Sequence, residues 1–457
     1  MNFRFSNIFP VLLFALLSAC SGVKDCVMPQ LNLPQQIGHN QNDSLTLADT
    51  EWWKLYADSS LIRIINTTLE NNRNLLAAGA RIEEMRQLYG VSKSNFFPTL
   101  SAFALADNET NDYYGESHIN DPENSLKATL SWEADLWGGL NWARKKGLAN
   151  YEASVWDQRA MRMTLIAEVA TAYFNLVALD NELTIVRRTL TTREEYLKKA
   201  KLRFEGGLTP ETVYQQAQVE YATTAALVPN LERQIEVQKN AIALLMGRYP
   251  EEEVMRSSLS LDMGLPDSVP VGVPSTLLQR RPDLQASEAA LRAALANVGV
   301  AYADRFPRLR ISLTGGLEND ELKGFFNSPF SYVVGQITGT ILDFGRNKRK
   351  HKAAIAAYDQ ARYRYEQAVL NAFREVDDAA ITFRLVRQTS LKRRELRDAA
   401  QKYTQLAYMQ YNMGVINYID VLDAQRRYFD AQVGFTNAVR DEYLALVRLY
   451  KALGGGA

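Results

Sequence analysis

Asp420, Asp423 and Arg426 follow one another at intervals of three in the string Tyr418-Ile419-Asp420-Val421-Leu422-Asp423-Ala424-Gln425-Arg426. On a helix this spacing sets two carboxylates and a guanidinium along one face. Such a face has two uses. It can be a solvated surface with local ion pairs. Facing copies of itself around a lumen, it makes rings of charge, to which Ile419 adds an apolar constriction.

Covalent chemistry is expected at the other end of the chain. Arg4 supplies the basic start of a signal peptide, Ile8 to Leu17 its apolar stretch, and Leu17-Ser18-Ala19 place small residues before Cys20. Leu-Ser-Ala-Cys has the form of a bacterial lipobox. Cleavage before Cys20 lets its thiol carry diacylglycerol and its new amino group an acyl chain. Each buried methylene contributes about 0.8 kcal/mol, so several chains make a durable anchor. Ser21 stands where an aspartate would favour retention in the inner membrane, which points to the outer membrane. Cys26 is the other cysteine and reads as an incidental residue of the tether, with no disulfide expected.

No enzyme chemistry is expected elsewhere. His39, His118 and His351 lie far apart, and no metal-ligand spacing, glycine-rich phosphate loop or nucleophile–base pair stands out. No catalytic residue, metal or cofactor is expected beyond the covalent lipid on Cys20. Fifty-two basic and 52 acidic side chains cancel, so nothing global steers the chain to nucleic acid. Two local basic runs, Arg144-Lys145-Lys146 and Arg346, Lys348, Arg349, Lys350 and Lys352, suit either anionic headgroups of outer-membrane lipid or plain exposed helix faces.

The elements that position these residues occur twice. Phe97-Pro98 matches Phe306-Pro307 at an offset of 209, and Trp137-Gly138, Gly207 and Ala217-Gln218 match Phe344-Gly345, Gly414 and Ala424-Gln425 at 207. A first helix is expected over Ser60–Asn95, with its counterpart over Pro282–Arg305, each ending at a Phe-Pro that favours extended backbone. Strands follow. Leu126 to Leu136 alternate apolar and polar residues without a break, with Leu100 to Ala106 as partner. Val333 to Ile341, with Ile311 to Leu317, supply the second pair.

Each pair leads into a long helix, the first from about Leu140 to Phe204. Leu165, Val169, Ala172, Leu176, Leu179, Leu183, Val186 and Leu190 form its heptad seam, echoed by Ala372, Val376, Ala379, Phe383 and Val386. Breaks at Gly206-Gly207-Leu208-Thr209-Pro210 and Met413-Gly414-Val415 read as the tips of helical hairpins. The organisation expected is a signal peptide over 1–19, a lipid-anchored tether over 20–58, repeats over 59–250 and 275–453, and a linker over 251–274. After the signal no run of about 20 apolar residues is read, so a membrane would be spanned by strands.

Four amphipathic strands cannot close a transmembrane barrel, whose smallest forms have about eight. Other copies of the chain must complete it. The helices, too long and too charged for the bilayer, must stand in water.

Nearly the whole mature chain resembles the outer-membrane efflux proteins of the TolC type, specifically the lipoprotein branch of OprM and CusC. The residues that carry this are the lipobox, Trp52-Trp53, both Phe-Pro pairs, Leu278-Gln279-Arg280-Arg281-Pro282-Asp283 and the Tyr418–Arg426 string. The resemblance implies a mostly α fold with a transmembrane β-barrel. A homotrimer would share a 12-stranded barrel, four strands per chain, continued by a 12-helix periplasmic α-barrel. It implies docking to a periplasmic adaptor (membrane fusion) protein and an inner-membrane RND-type pump, for passive exit of small molecules or metal ions. Ile419, Asp420, Asp423, Arg426 and Tyr411 would form the periplasmic gate. Tyr411 matches a tyrosine that locks the closed state, but Val213 occupies the place of its aspartate partner, with Glu211 as a substitute to consider. Gly207, Leu208, Thr209, Gly414 and Val415 would be the adaptor-docking tips. Two other readings stay open: a structural periplasm-spanning lipoprotein, and the outer-membrane channel of a type I protein-secretion system.

Overall fold

The computed structural model describes residues 26–31, 53, 56, 58–111, 114–115, 119–250, 256 and 274–455. The signal segment 1–19, Cys20, most of the tether over 20–58 and most of the linker over 251–274 lie outside the described residues. In chain order the elements are α1 (Ser59–Asn71), α2 (Arg73–Ser94), β1 (Thr99–Asn111), β2 (Ile119–Ala134), α3 (Gly139–Glu205) and α4 (Glu211–Leu245). Then come α5 (Pro274–Arg280), α6 (Pro282–Ala303), β3 (Arg308–Asn319), β4 (Pro329–Thr338), α7 (Arg346–Asn412) and α8 (Tyr418–Ala452). Helices α3 and α7 each have 67 residues, and α4 and α8 each have 35. Contacts group the chain into two compact units.

The first unit, Met1–Leu31, Ala80–Val155 and Ala286–Gln367, holds a single antiparallel sheet in the order β1-β2-β3-β4. The two hairpins therefore pair directly through β2 and β3, with Leu130 opposite Leu313 and Thr129 opposite Thr314. Alternation sends Leu126, Leu130, Trp132, Ile311 and Leu313 to one exposed face and Ser125, Thr129, Ser131, Ser312 and Thr314 to the other. Leu313 is 48% exposed and Thr314 4%. Thr129 and Thr314 share a hydrogen bond of 3.0 Å across the strands.

β4 ends at Thr338, short of the Ile341 expected from the alternation. Thr338 is opposite Arg308, the first residue after Pro307, and proline has no N–H to continue the ladder. The long helices begin at aspartate caps. Asp135 accepts from the Leu140 and Asn141 N–H groups, both at 2.9 Å, and Asp343 accepts from Gly345 and Asn347 at 2.8 and 2.9 Å. Cys26 is buried in this unit beside Val27, whose carbonyl accepts the Tyr358 hydroxyl at 2.5 Å. Cys26 is thus part of a packed segment.

The second unit, Asn32–Gly79, Trp156–Gln285 and Ala368–Ala457, is helical. Its core contains the expected seam: Leu165, Val169, Ala172, Leu176, Leu183 and Val186 are buried on α3, and Ala372, Val376, Ala379 and Phe383 on α7. Tyr56, Phe174 and Tyr443 pack ring against ring at 4.9–5.5 Å. Asp58 caps α1 and accepts the Tyr173 hydroxyl at 2.5 Å.

Two further expectations are corrected. The first helix is not continuous over Ser60–Asn95. Asn72 is extended (ψ 121°), and its side-chain oxygen caps α2 by accepting from Asn74 and Leu75 while its amide donates to Leu245 O at 2.8 Å. A short helix, α5, precedes α6, and Arg281 at their junction is buried, paired bidentately with Asp283 (2.7 and 3.0 Å) and with Glu375 at 2.7 Å. One helix, α3, does carry an 18-residue window apolar enough for a span, but 67% of that window is buried inside the protein, as in a core helix.

Candidate functional site

The two hairpin tips are built alike. α3 ends where Gly207 takes φ +68° and α7 where Gly414 takes φ +76°, a left-handed conformation that a Cβ penalises. Leu208 N–H returns to Arg203 O and Gly207 N–H to Phe204 O. Val415 N–H and Gly414 N–H make the same pair of bonds to Gln410 O and Tyr411 O. This is the Schellman termination, in which the residue after the glycine usually packs back on its helix. Here Leu208 is 73% exposed and Val415 67% exposed, so both tips present an aliphatic side chain to solvent. Thr209 is half-buried beside them.

From the second tip α8 carries the charged string. Asp420 accepts the Asn417 N–H at 3.1 Å, so one of the two aspartates also caps the helix. Asp423 pairs with Arg427 at 2.7 Å, one turn on, instead of with Arg426. Arg426 reaches Glu220 of α4 at 3.9 Å. Ile419 and Asp420 are exposed. In the single chain Ile419, Asp420 and Arg426 are exposed and Asp423 is half-buried.

Glu220 is a centre that sequence spacing did not reveal. Its carboxylate also accepts from Arg193 of α3 at 3.1 Å, and the Arg193 guanidinium donates further to Glu220 O at 2.9 Å and to the Thr224 hydroxyl. Burial pulls the Arg193 guanidinium below its ordinary range, and Glu220 opposes that pull. The chain Arg193–Glu220–Arg426 thus connects the first hairpin to the charged face of α8.

Tyrosines form a second connection. Tyr196 of α3 stacks on Tyr418 at 3.4 Å, Tyr411 meets Tyr418 edge-on at 5.6 Å, and Arg203 of α3 donates to the Tyr411 hydroxyl at 3.3 Å. Tyr418, Val421, Leu422, Ala424 and Ala407 are buried beneath them. Burial pushes the Tyr418 and Tyr196 hydroxyls up, so both stay protonated. Arg203 is one partner that Tyr411 finds within the chain, and the Tyr196 hydroxyl is another. Glu211 does not take that place; it accepts from Gln215 at 3.2 Å.

Among the described residues no group of three or more His, Cys, Asp or Glu side chains could hold a metal ion. The charged face offers no paired nucleophile and base, and its chemistry is electrostatic.

The outer membrane efflux protein family matches residues 64–248 and 273–455. The chain is 31% identical over 462 residues to the solvent efflux pump outer membrane protein SrpC of Pseudomonas putida, covering 98% of this chain and 97% of that protein. It is 30% identical to the outer membrane protein OprJ of Pseudomonas aeruginosa, over 91% of this chain and 88% of that one. The solved outer-membrane channel OprN is similar with a TM-score of 0.86 at 28% identity, over 94% of this chain and 99% of that one.

Proposed function

The chain belongs to the outer membrane efflux protein family, and from that premise we propose that it is the outer-membrane exit channel of a tripartite efflux system. It conducts small molecules or metal ions passively outward, and the relatives named for solvent efflux favour small organic compounds as cargo. The family is one of transporters. The observation that carries the reading is the four-stranded sheet with one exposed aliphatic face, whose edge strands β1 and β4 pair with no further strand among the described residues, joined to 67-residue helices.

Three chains would pair β4 of one with β1 of the next and close a 12-stranded barrel. Helices α3, α4, α7 and α8 of each would form a 12-helix tunnel in the periplasm. Leu396 and Tyr403, seven apart on α7, with Leu406 and Met409, are exposed in the single chain and suit a helix of a neighbouring copy. An internal duplication accounts for left-handed glycines at a constant separation of 207: Gly138 and Gly345, Gly207 and Gly414, Gly247 and Gly454. The domain plan of repeats over 59–250 and 275–453 follows from it.

Ile419, Asp420, Asp423, Arg426 and Tyr411 would form the gate, held by Arg203 and Glu220. Gly207, Leu208, Thr209, Gly414 and Val415 would dock a periplasmic adaptor, and through it an inner-membrane RND-type pump. Cys20 would carry the lipid anchor. The exposed cations Arg144, Lys145, Arg346, Lys348, Arg349, Lys350 and Lys352 follow the strands and would meet anionic headgroups of the periplasmic leaflet.

Planar-bilayer recordings of the purified full-length protein test the pore. Discrete conductance steps from a species with the mass of three chains are expected. A bilayer left silent by the wild type and by Asp420→Asn/Asp423→Asn alike would overturn it.

A further inference from the structure

Arg308 and Arg310 occupy the polar face of β3 where the strand begins. Alternation sets them with Ser312 and Thr314, while Leu309, Ile311 and Leu313 take the aliphatic face. Arg310 is opposite Glu133 on one side and Gln336 on the other, and Arg308 is opposite Thr338. The Glu133 carboxylate lies between the two guanidinium groups, 3.7 Å from each, and Arg308 also pairs with Asp304 at 2.8 Å. A cavity of about 390 Å³ opens over this cluster, lined also by Arg305. Three guanidinium groups thus meet two carboxylates there. Arg308 and Arg310 keep 60% and 58% of their side chains exposed.

We infer that Arg308 and Arg310 form an anion-selecting ring in the lumen of the barrel, which passes small organic anions such as carboxylates and sulfonates in preference to cations. The inference rests on the trimeric pore proposed above. An arginine on the lipid face is destabilising, by about 2–4 kcal/mol at the bilayer midplane and about 0–1 kcal/mol near the interfaces, whereas the lumen face accepts charge and uses it to tune selectivity. Rings of Arg or Lys favour anions in pores, and the planar guanidinium fork fits carboxylate and sulfonate oxygens in a bidentate manner.

Among the described residues the acid nearest Arg310 is Glu133, a loose partner at 3.7 Å, which leaves its N–H groups to a passing anion. Two arginines from each of three chains set this ring on strands of the barrel. The aspartates Asp420 and Asp423, of opposite sign, belong to a helical tip.

Reversal potentials under a KCl gradient test the assignment on the full-length trimer in planar bilayers. Measurements are made with the native gate and again with Asp420→Asn/Asp423→Asn, so that the aspartates do not mask the ring. Arg308→Gln/Arg310→Gln is expected to raise the potassium-to-chloride permeability ratio severalfold, because a ring of arginines favours anions. Glu133→Gln, which leaves the arginines without their shared acid, is expected to lower it. Conducting variants whose ratio equals that of the parent in both cases would overturn the ring and leave the pore standing. Silence in every background would overturn the pore itself, and the ring with it.

Discussion

The Tyr411 hydroxyl accepts a hydrogen bond from Arg203 Nη1 at 3.3 Å, tying the end of α7 to the end of α3 within one chain. Both groups sit at the surface, so the bond contributes about 1 kcal/mol. That is enough to bias a gate and too little to hold a fold. Tyr411→Phe and Arg203→Ala are each expected to make channel openings several-fold more frequent with little change in melting temperature. Single-channel recordings and thermal unfolding read the two quantities separately; unchanged openings in both variants would remove this bond from the closed state.

Asp420 caps α8, and in the proposed gate it would also be a charge at the constriction; amide substitution separates the two. Asp420→Asn keeps an oxygen that can accept from Asn417 N–H, whereas Asp420→Ala loses the cap at about 1 kcal/mol. Asp420→Asn/Asp423→Asn is therefore expected to increase conductance at wild-type stability, and Asp420→Ala/Asp423→Ala to increase it with a lower melting temperature. Equal conductance in all three proteins would assign the aspartates to a solvated face.

Glu220→Gln should be costly. Arg193 is 8% exposed and Glu220 15%, and removing one partner of such a pair leaves a buried charge uncompensated, at about 3 kcal/mol or more. The double variant Arg193→Met/Glu220→Leu removes both charges and is expected to recover most of the loss. Circular-dichroism melting of the two variants checks the order, and a double variant no more stable than the single would contradict it.

Leu208 and Val415 tell docking apart from turn formation, because the turns are made by Gly207 and Gly414. Leu208→Asp and Val415→Asp should fold, insert and conduct like wild type, yet fail to restore solvent or drug resistance to cells lacking the channel. Full resistance with either variant would mean that the exposed aliphatic groups are not a docking surface.

Glu182 carries a pH dependence of definite sign. Burial raises its carboxyl above the ordinary value of 4.5, with Arg440 opposing. A carboxyl that is harder to ionise in the fold than in the unfolded chain favours the fold below pH 4.5, and that contribution is lost as pH rises through the raised value. Glu182→Gln cannot ionise. It should be more stable than wild type at pH 7.5 and similar to it near pH 4, as followed by thermal unfolding across that range.

Much of this was legible in the sequence because its signals are local. Unbroken alternation from Leu126 marks a strand with two unlike faces, and Gly207-Leu208-Thr209-Pro210 marks a turn whatever surrounds it. The break at Asn72 was not, because it depends on an amide that donates to Leu245 O, 173 residues away, while its oxygen caps the next helix. Nor does α4 stop at Pro229, which lies inside the helix. Arg193, Glu220 and Arg203 escaped for the same reason as Asn72: their partners lie on other helices, at separations that match no period. The Arg280-Arg281-Pro282-Asp283 string was conspicuous by resemblance. Its physical content, a buried guanidinium joining the start of α6 to α7, rests on Glu375, 94 residues away on another helix.

The sheet's free edges have a consequence for the life of the chain before it reaches its destination. Among the described residues β1 and β4 pair with no further strand, and they lie beside an aliphatic surface, the combination through which strands recruit wrong neighbours. A solitary subunit in transit is therefore its own hazard, and more so the longer it waits. Under the three-chain assembly proposed above, cells making this protein are expected to depend on an escort that shields those edges until two further copies arrive. Mutations that slow trimer formation should be felt first as clearance by proteases, before any loss of transport by the channels that do form.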